Sequence, residues 1–463
     1  MRARVPHAHR PIVLLVALAI ASSLGCGRGA GERRTNVLLI SLDTVRADHT
    51  SLLGYDRETT PRLVQLGREG AVFTDGYTMT STTGPTHATL FTGRYAPAHG
   101  VARNGVSLAA SATTLAEHLA ARGYRTAGFA SSFVLAARFG FAQGFGFYDD
   151  RFDREGSSLP QPFWEGHAVP GRGFDRAGDR TTERALAWLE SQAGQGGPFF
   201  LFVHYFDAHE PYAPLPDRQR RLAAGGEPAA SAEIDRYDGE ILFVDDQVGR
   251  LLDALDDLGL AESTLVFVTS DHGQGLTDHN DAFHSVNVYE ESVRGVFVFR
   301  GPGVAPGVRS RAPVQHVDVV PTILDLLARG SQRSLNLPGR SLVPELAGGD
   351  TIDPERPVYV YRQLYPGPRV LRGTPVDGEQ HGVRIGDWKY IEGTRDGVRE
   401  LYDLSRDPGE RNDLSEAEPE KLRELSGRLA AWRSTLGTTR AAAPALSVEE
   451  RKKLQALGYL EAE

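Results

Sequence analysis

A chain of 463 residues, 40% hydrophobic and 24% charged, has the apolar material for one large core or two unequal ones, and none of the bias of disordered or fibrous chains. A formal charge of -9, with no basic cluster beyond scattered arginines, argues against a nucleic-acid partner, which needs concentrated positive charge against phosphate. Cys26 is the only cysteine, so no internal disulfide forms and stability rests on the core.

Arg2, Arg4 and Arg10 precede the apolar run 12–24, which ends in small residues and Cys26. That is the layout of a secretory signal, and the run is shorter than the about 20 residues of a membrane-spanning helix. Ser23-Leu24-Gly25-Cys26 has the form of a bacterial lipoprotein cleavage box, although leucine is more usual where Ser23 stands. Residues 1–26 are therefore expected to be an export segment. A lipid anchor at Cys26 would be the only membrane attachment, and the periplasm or outer surface the destination.

Residues 36–43, 125–130, 198–204, 264–271 and 295–300 are short apolar runs of the kind buried on both faces, which predicts a largely parallel sheet. Between them, 113–122 ends at Gly123. Ile241, Val244, Val248, Leu251, Leu255 and Leu258 recur at helical spacing and stop at Gly259, so both stretches read as amphipathic crossover helices. Strand and helix in alternation imply an open α/β sheet flanked by helices, where ligands bind beyond the carboxyl ends of the strands. Asp43 and Asp271 stand at two such ends. Residues 140–190, rich in Phe, Gly, Asp and Arg, form an irregular insertion expected to line the specificity pocket.

A helix is expected over 317–328, and 337–342 reads as a boundary. Residues 358–361, 382–385, 388–391 and 400–403 read as antiparallel strands, with a helix over 421–436 packed on them. The expected organisation is a catalytic domain over 34–342 and a smaller C-terminal α+β subdomain over 343–463, including a linker at 441–444 and a last helix over 448–457.

Three segments carry the chemistry together: Asp43-Thr-Val-Arg-Ala-Asp48-His49, Thr83-Gly-Pro-Thr-His87, and Ser270-Asp271-His272-Gly273. A divalent cation at a strand end needs carboxylates and an imidazole converging from different strands, and Asp43, Asp271 and His272 supply them. The fourth position belongs to the nucleophile's oxygen, because a metal-bound hydroxyl loses its proton more readily. Thr83 fits, since Pro85 suits the first turn of a helix whose N-terminal end would face the ester's oxygens; Ser81, Thr82 and Thr86 are neighbouring competitors. Two Asp, Thr and one His suit Mn or Ca, whereas recruiting His209 and His284 to a second site would suit Zn.

These segments resemble the sulfatase family within the alkaline phosphatase superfamily. The likeness extends through His204-Tyr-Phe-Asp-Ala-His209-Glu-Pro-Tyr212, Tyr289-Glu290, the helix at 317–325, Gly339-Arg-Ser-Leu342 and the late run 401–414. It implies an alkaline phosphatase-like hydrolase fold, a metal at Asp43, Asp271 and His272, and a nucleophile at Thr83. Four departures stand out. Sulfatases proper carry Cys or Ser at that position, oxidised to formylglycine, so no formylglycine is expected here. The usual following Arg is His87, and the paired acid after the first Asp is Thr44. The family's sulfate-holding lysines have no counterpart before Lys389, which leaves His87, Arg103, His204 and His279 as candidates to bind substrate. His209 or His284 would protonate the leaving oxygen.

Threonine at the nucleophile position is similar to the phosphoryl-handling branches: phosphodiesterases and the transferases of phosphoglycerol or phosphoethanolamine. Those transferases usually carry several membrane helices ahead of the soluble domain, so the single short export segment favours water as acceptor. The expected activity is hydrolysis of a small anionic sulfuric, phosphoric or phosphonic ester through a covalent threonine intermediate. The alternatives are group transfer and a non-catalytic anion-binding lipoprotein; retention of Asp43, Thr83, Asp271 and His272 together argues against the second.

Overall fold

The computed structural model describes residues 35–152, 163–164, 167–168, 174–192, 194–214, 216–225, 229–281, 283–328, 335–371, 374–436 and 446–456. The export segment expected over 1–26, Cys26 and the linker at 441–444 lie outside the described residues. Among those described, no helix is long and apolar enough to cross a membrane.

Strands run in chain order as β1 (Asn36–Leu42), β2 (Ala71–Tyr77), β3 (Arg125–Phe129), β4 (Phe147–Asp149), β5 (Phe163–Trp164), β6 (His167–Ala168), β7 (Phe199–Tyr205), β8 (Thr264–Ser270), β9 (Arg294–Arg300), β10 (Val308–Ser310) and β11 (Val314–Gln315). All but the β5–β6 pair form one nine-stranded sheet, ordered β10-β2-β9-β8-β1-β7-β3-β4 with β11 also on β2. Pairing is parallel except where β9 runs antiparallel to both β2 and β8. The observed architecture is the mostly parallel, helix-flanked α/β sheet read from the sequence.

The central strands are apolar throughout because both faces are covered. Val37 and Leu39 point into one cluster with Phe200, Phe202 and Phe267. Leu38, Ile40 and Leu42 point into the opposite one with Leu201, Val203 and Val266. Full burial of one such side chain contributes roughly 1.5–3 kcal/mol, so the sheet centre is the rigid part of the molecule. The long helix Ala232–Asp257 covers the second face through Ile241, Val244, Val248 and Leu251. Helices α1 (Pro61–Glu69) and α2 (Thr83–Thr92) lie on opposite faces, through Leu63 and Leu66 for α1 and Ala88, Leu90 and Phe91 for α2.

Strand β2 has no counterpart in the sequence reading. Asp75 and Gly76 break its apolar run, yet each has a tertiary reason. Asp75 pairs with Arg384 at 2.9 Å, and a Cβ on Gly76 would lie 2.3 Å from the Phe297 ring. The C-terminal sheet is antiparallel, ordered β12 (Val358–Leu371), β13 (Thr374–Ile385), β14 (Trp388–Gly393) and β15 (Arg399–Asp403), with helix Pro419–Thr435 packed on it. The first two strands extend well past their expected lengths because two irregularities, between Arg362 and Tyr365 and between Tyr365 and Arg369, absorb the Pro-Gly-Pro stretch. This hairpin abuts the first sheet's loops: Arg362 donates to the Val286 carbonyl at 3.1 Å, and the Tyr365 hydroxyl to that of Ser285 at 3.1 Å.

Candidate active site

Strand β1 lies between β7 and β8, and the register sets Leu42 beside both Tyr205 and Ser270. The next residue on each side is thereby fixed. Asp43 N–H donates to the Tyr205 carbonyl at 2.9 Å, and Asp271 N–H to that of Leu42 at 3.1 Å, so two carboxylates emerge side by side. Side chains alternate along a strand, which turns Ser41 and Asp43 toward the face that carries α2. Thr83 opens that helix, with Thr82 as N-cap residue. Gly84 N–H donates to Asn104 Oδ1 at 2.7 Å and Pro85 has no N–H, so neither of these groups is aimed at a ligand.

The turn after β1 is held against local preference. Thr44 has φ +56°, a left-handed conformation that costs a non-glycine residue about 1–2 kcal/mol. Its N–H then donates to Asp271 Oδ1 at 3.2 Å, and its carbonyl accepts from the Tyr237 hydroxyl at 2.6 Å. Gly273 is required by close approach: a Cβ there would lie 1.8 Å from the Glu291 carbonyl oxygen.

These constraints bring Asp43, Thr83, Asp271 and His272 into one fully buried group. Thr83 Oγ1 lies 3.2 Å from His272 Nε2 and 3.5 Å from Asp43 Oδ2. His272 Nε2 lies 3.9 Å from Asp43 Oδ1 and 3.5 Å from Asp271 Oδ2. His272 Nδ1 donates to the Gly273 carbonyl at 2.9 Å, which leaves a lone pair on Nε2 facing the two acids.

Asp43 Oδ1 and Asp271 Oδ2 are buried without a hydrogen-bond partner. Burial pushes both carboxyls well above their ordinary range, helped by Glu210 at Asp43 and by Asp43 itself at Asp271. Burial likewise lowers His272 to about 3, so its ring is neutral. Two orphaned carboxylate oxygens and an imidazole lone pair, converging in a buried pocket, are a donor set that could hold a divalent cation.

The remaining sequence-derived candidates take different places. His204 accepts the Ser131 N–H at Nδ1, 3.4 Å, and donates from Nε2 to Asp43 Oδ2 at 3.1 Å; burial lowers it to about 3. It orients Asp43. His87 sits behind the cluster, Nδ1 on the Thr83 carbonyl at 2.8 Å and Nε2 on Ser41 Oγ at 2.9 Å, and burial keeps it neutral. Both of its nitrogens are engaged by protein, so it supports Thr83 from the helix interior. His279 is clamped by Glu291 at 2.8 Å and the Glu410 carbonyl at 2.9 Å, and stacks on Tyr289. Arg103 is exposed.

His209 and His284 meet at the cluster's edge, Nε2 to Nε2 at 3.0 Å, and the His284 ring centroid lies 4.7 Å from that of His272. Sequence reasoning missed Asn104 and Glu210. Nothing local marks Asn104 as the partner of Gly84, 20 residues away. Glu210 adjoins His209 in the quoted His-Glu-Pro-Tyr run and was the legible signal of the two.

An α/β sheet with acids, imidazoles and a hydroxyl gathered at its carboxyl end has the make-up of an ester hydrolase. A family model described as Sulfatase matches residues 35–329, and one described as N-sulphoglucosamine sulphohydrolase, C-terminal, matches 279–434. The chain belongs to the sulfatase family. It is 23% identical to an N-acetylglucosamine-6-O-sulfatase of Bacteroides thetaiotaomicron, with 87% of each chain covered. It is 29% identical to a multifunctional alkaline phosphatase superfamily protein of Trinickia caryophylli, over 69% of this chain and 78% of that one. Its fold matches the phosphonate monoester hydrolase of Silicibacter pomeroyi with TM-score 0.69 at 22% identity, covering 90% of this chain and 98% of the other.

Proposed function

We propose that this chain hydrolyses a small anionic sulfuric, phosphoric or phosphonic ester, with Thr83 as nucleophile. The observation that carries the reading is the position of Thr83 Oγ1, 3.2 Å from the His272 lone pair and 3.5 Å from Asp43 Oδ2, inside a buried group with two orphaned carboxylate oxygens. A relative named as a sulfatase and a structural neighbour titled a phosphonate monoester hydrolase support the sulfuric and phosphonic ends of that range.

Asp43, Asp271 and His272 would hold a divalent cation, and its charge lowers the pKa of a nearby hydroxyl. The chain's own groups do the rest. His204 fixes Asp43, His87 fixes the first turn of α2, and the strained turn at Thr44 fixes Asp271, so the attacking oxygen is held before substrate arrives. Thr83 Oγ1 forms a bond to sulfur or phosphorus as the bond to the ester oxygen breaks, and the proton lost from the hydroxyl is balanced by the one that leaves on the departing alcohol. Water then displaces the threonine oxygen, releasing sulfate, phosphate or phosphonate and restoring the hydroxyl. The departing oxygen needs its charge neutralised, and His209 and His284 are the groups beside the cluster available for that.

The test is Thr83→Ala assayed on sulfate monoester, phosphate monoester, phosphate diester and phosphonate substrates. Loss of a nucleophile is expected to lower kcat by about 10³-fold or more on whichever ester is turned over, and intact mass of acid-quenched wild type should show a covalent adduct that the variant lacks. Full turnover by the variant would exclude Thr83.

A further inference from the structure

The amino ends of the parallel strands lie at the pole opposite the candidate active site, and an open groove runs across those of β3 and β4. Tyr124, Arg125, Phe145, Phe147, Trp188 and Gln195 line it. Phe147, which begins the edge strand β4, is 44% exposed, the one large apolar side chain of the first sheet so placed among the described residues. The rings beside it are held from below: Trp188 packs edge-on to Phe199, and Phe145 stacks on Phe200, the first two residues of β7.

The same pole is where the chain enters the sheet. Thr35 immediately precedes β1, and its carbonyl accepts the Tyr124 hydroxyl at 2.9 Å, so one wall of the groove is tied to the point of entry. Thr35 stands nine residues after Cys26, a reach of at most about 30 Å whatever the path between them. A globular domain of this size is roughly 55–60 Å across. A chain anchored through Cys26 therefore cannot bring the opposite pole to the bilayer, and what remains open is whether it stands on the groove or lies on a flank.

The chemistry of the groove decides that. Trp and Tyr rings, apolar in body and polar at one end, are at home at the headgroup level of a bilayer, and Phe147 adds an apolar contact. Charge agrees. The chain as a whole is at -9, yet residues 27–34 hold Arg28, Arg33 and Arg34 against Glu32 alone, and Arg125 lies in the groove itself. That is the sign anionic headgroups attract.

We propose that the groove at the amino ends of β3 and β4 rests on the headgroups of the membrane to which Cys26 is attached, and that the catalytic pocket opens away from that membrane. Thr35 and Asp43 flank the extended strand β1, so Thr83 stands roughly 25 Å beyond the docked face. The ester is then a water-borne anion and not a bilayer lipid. The acyl group holds the chain, and the groove sets how it stands. The inference rests on the export and anchor reading of residues 1–26, and it adds the origin of the substrate to the proposed function.

The test uses the full chain with its own export segment, purified from membranes and reconstituted in vesicles of phosphatidylethanolamine and phosphatidylglycerol. Intact mass reports the acyl group, which Cys26→Ser should lose. Cys26 is the only cysteine, so Gln195→Cys in the groove and Asn280→Cys in the loop after β8, both at exposed positions, each carry a single fluorophore. A nitroxide on the lipid headgroup should quench the Gln195 label and leave the Asn280 label bright. Adding Phe147→Glu should abolish that quenching with the acyl mass unchanged. Circular dichroism reports folding, and Phe147→Ser replaces Phe147→Glu if the latter does not fold. Acylated protein whose two labels are quenched alike, or whose quenching ignores both Phe147 variants, would overturn the docking and leave the anchor standing. Retardation in a neutral polysaccharide gel that Phe147→Glu removes, with quenching unchanged, would assign the groove to a glycan instead. Wild type of unacylated mass would overturn anchor and docking together. None of these readouts involves turnover, so the fate of the proposed hydrolysis is read separately from Thr83→Ala.

Discussion

Between β9 and the C-terminal sheet, Glu290 and Glu410 close on the buried ammonium of Lys389 at 3.0 and 2.9 Å, while His279 donates to Glu291. At the carboxyl ends of β1 and β8, Asp43 and Asp271 are buried as deeply, but their ion-pair partners among the described residues are imidazoles that burial keeps neutral. In the first region burial acts to raise Glu290, and Lys389, Arg384, Arg294 and the Tyr77 hydroxyl together more than offset it, so the carboxyl is held below its ordinary value; Glu410, raised by burial to about 7, is pulled back by the same ammonium. In the second region no Lys or Arg among the described residues pairs with the acids; the Thr83 hydroxyl and the Thr44 and His272 N–H groups offset burial only in part, and both acids rise. Acids buried with their own cation are architecture, and acids buried without one are a place for an ion from outside.

That contrast can be pressed hardest at Lys389. Lys389→Met strands Glu290 and Glu410, and urea unfolding should show a loss of about 3–5 kcal/mol; a near-neutral result would mean the network is not what holds the second sheet. Metal removal probes the other region. If the cation was present at a hundredfold over its Kd, chelation should cost about 2.7 kcal/mol and lower Tm in wild type. The same treatment of Asp271→Asn should shift Tm less. Asp43→Asn carries the smallest expected change and the opposite sign. In chelated protein it replaces an uncompensated charge by an amide, so stability should rise by about 1–3 kcal/mol in thermal or urea unfolding, while metal retention is lost. A fall there would show that Asp43 is structural and would break the comparison.

The first sheet's central strands were legible because their apolar runs stop at acids, and those stops are where Asp43 and Asp271 stand. Thr83 was legible through Pro85 and the helix that follows. The roles of individual histidines were not, because a ring's function depends on what reaches its second nitrogen. His279 looks like its neighbour His284 along the chain, yet one nitrogen is taken by the Glu410 carbonyl, 131 positions away. His87 occupies a position that reads as substrate-facing, but helix geometry turns it toward Ser41 of the adjacent strand. Strand β2 escaped for a related reason: Asp75 and Gly76 are explained by Arg384 and Phe297, and no local pattern contains either.

The long β12–β13 hairpin has an outcome for anyone wishing to divide this protein. Its Arg362 and Tyr365 prop the peptide carbonyls of Val286 and Ser285, immediately after His284. A fragment ending near residue 342 would keep Asp43, Thr83, Asp271 and His272 but would lose the buttress behind one wall of the pocket. The two sheets are thus poor candidates for separate expression or for exchange between relatives: the second is a bracket for the first, and swapping it would move His284.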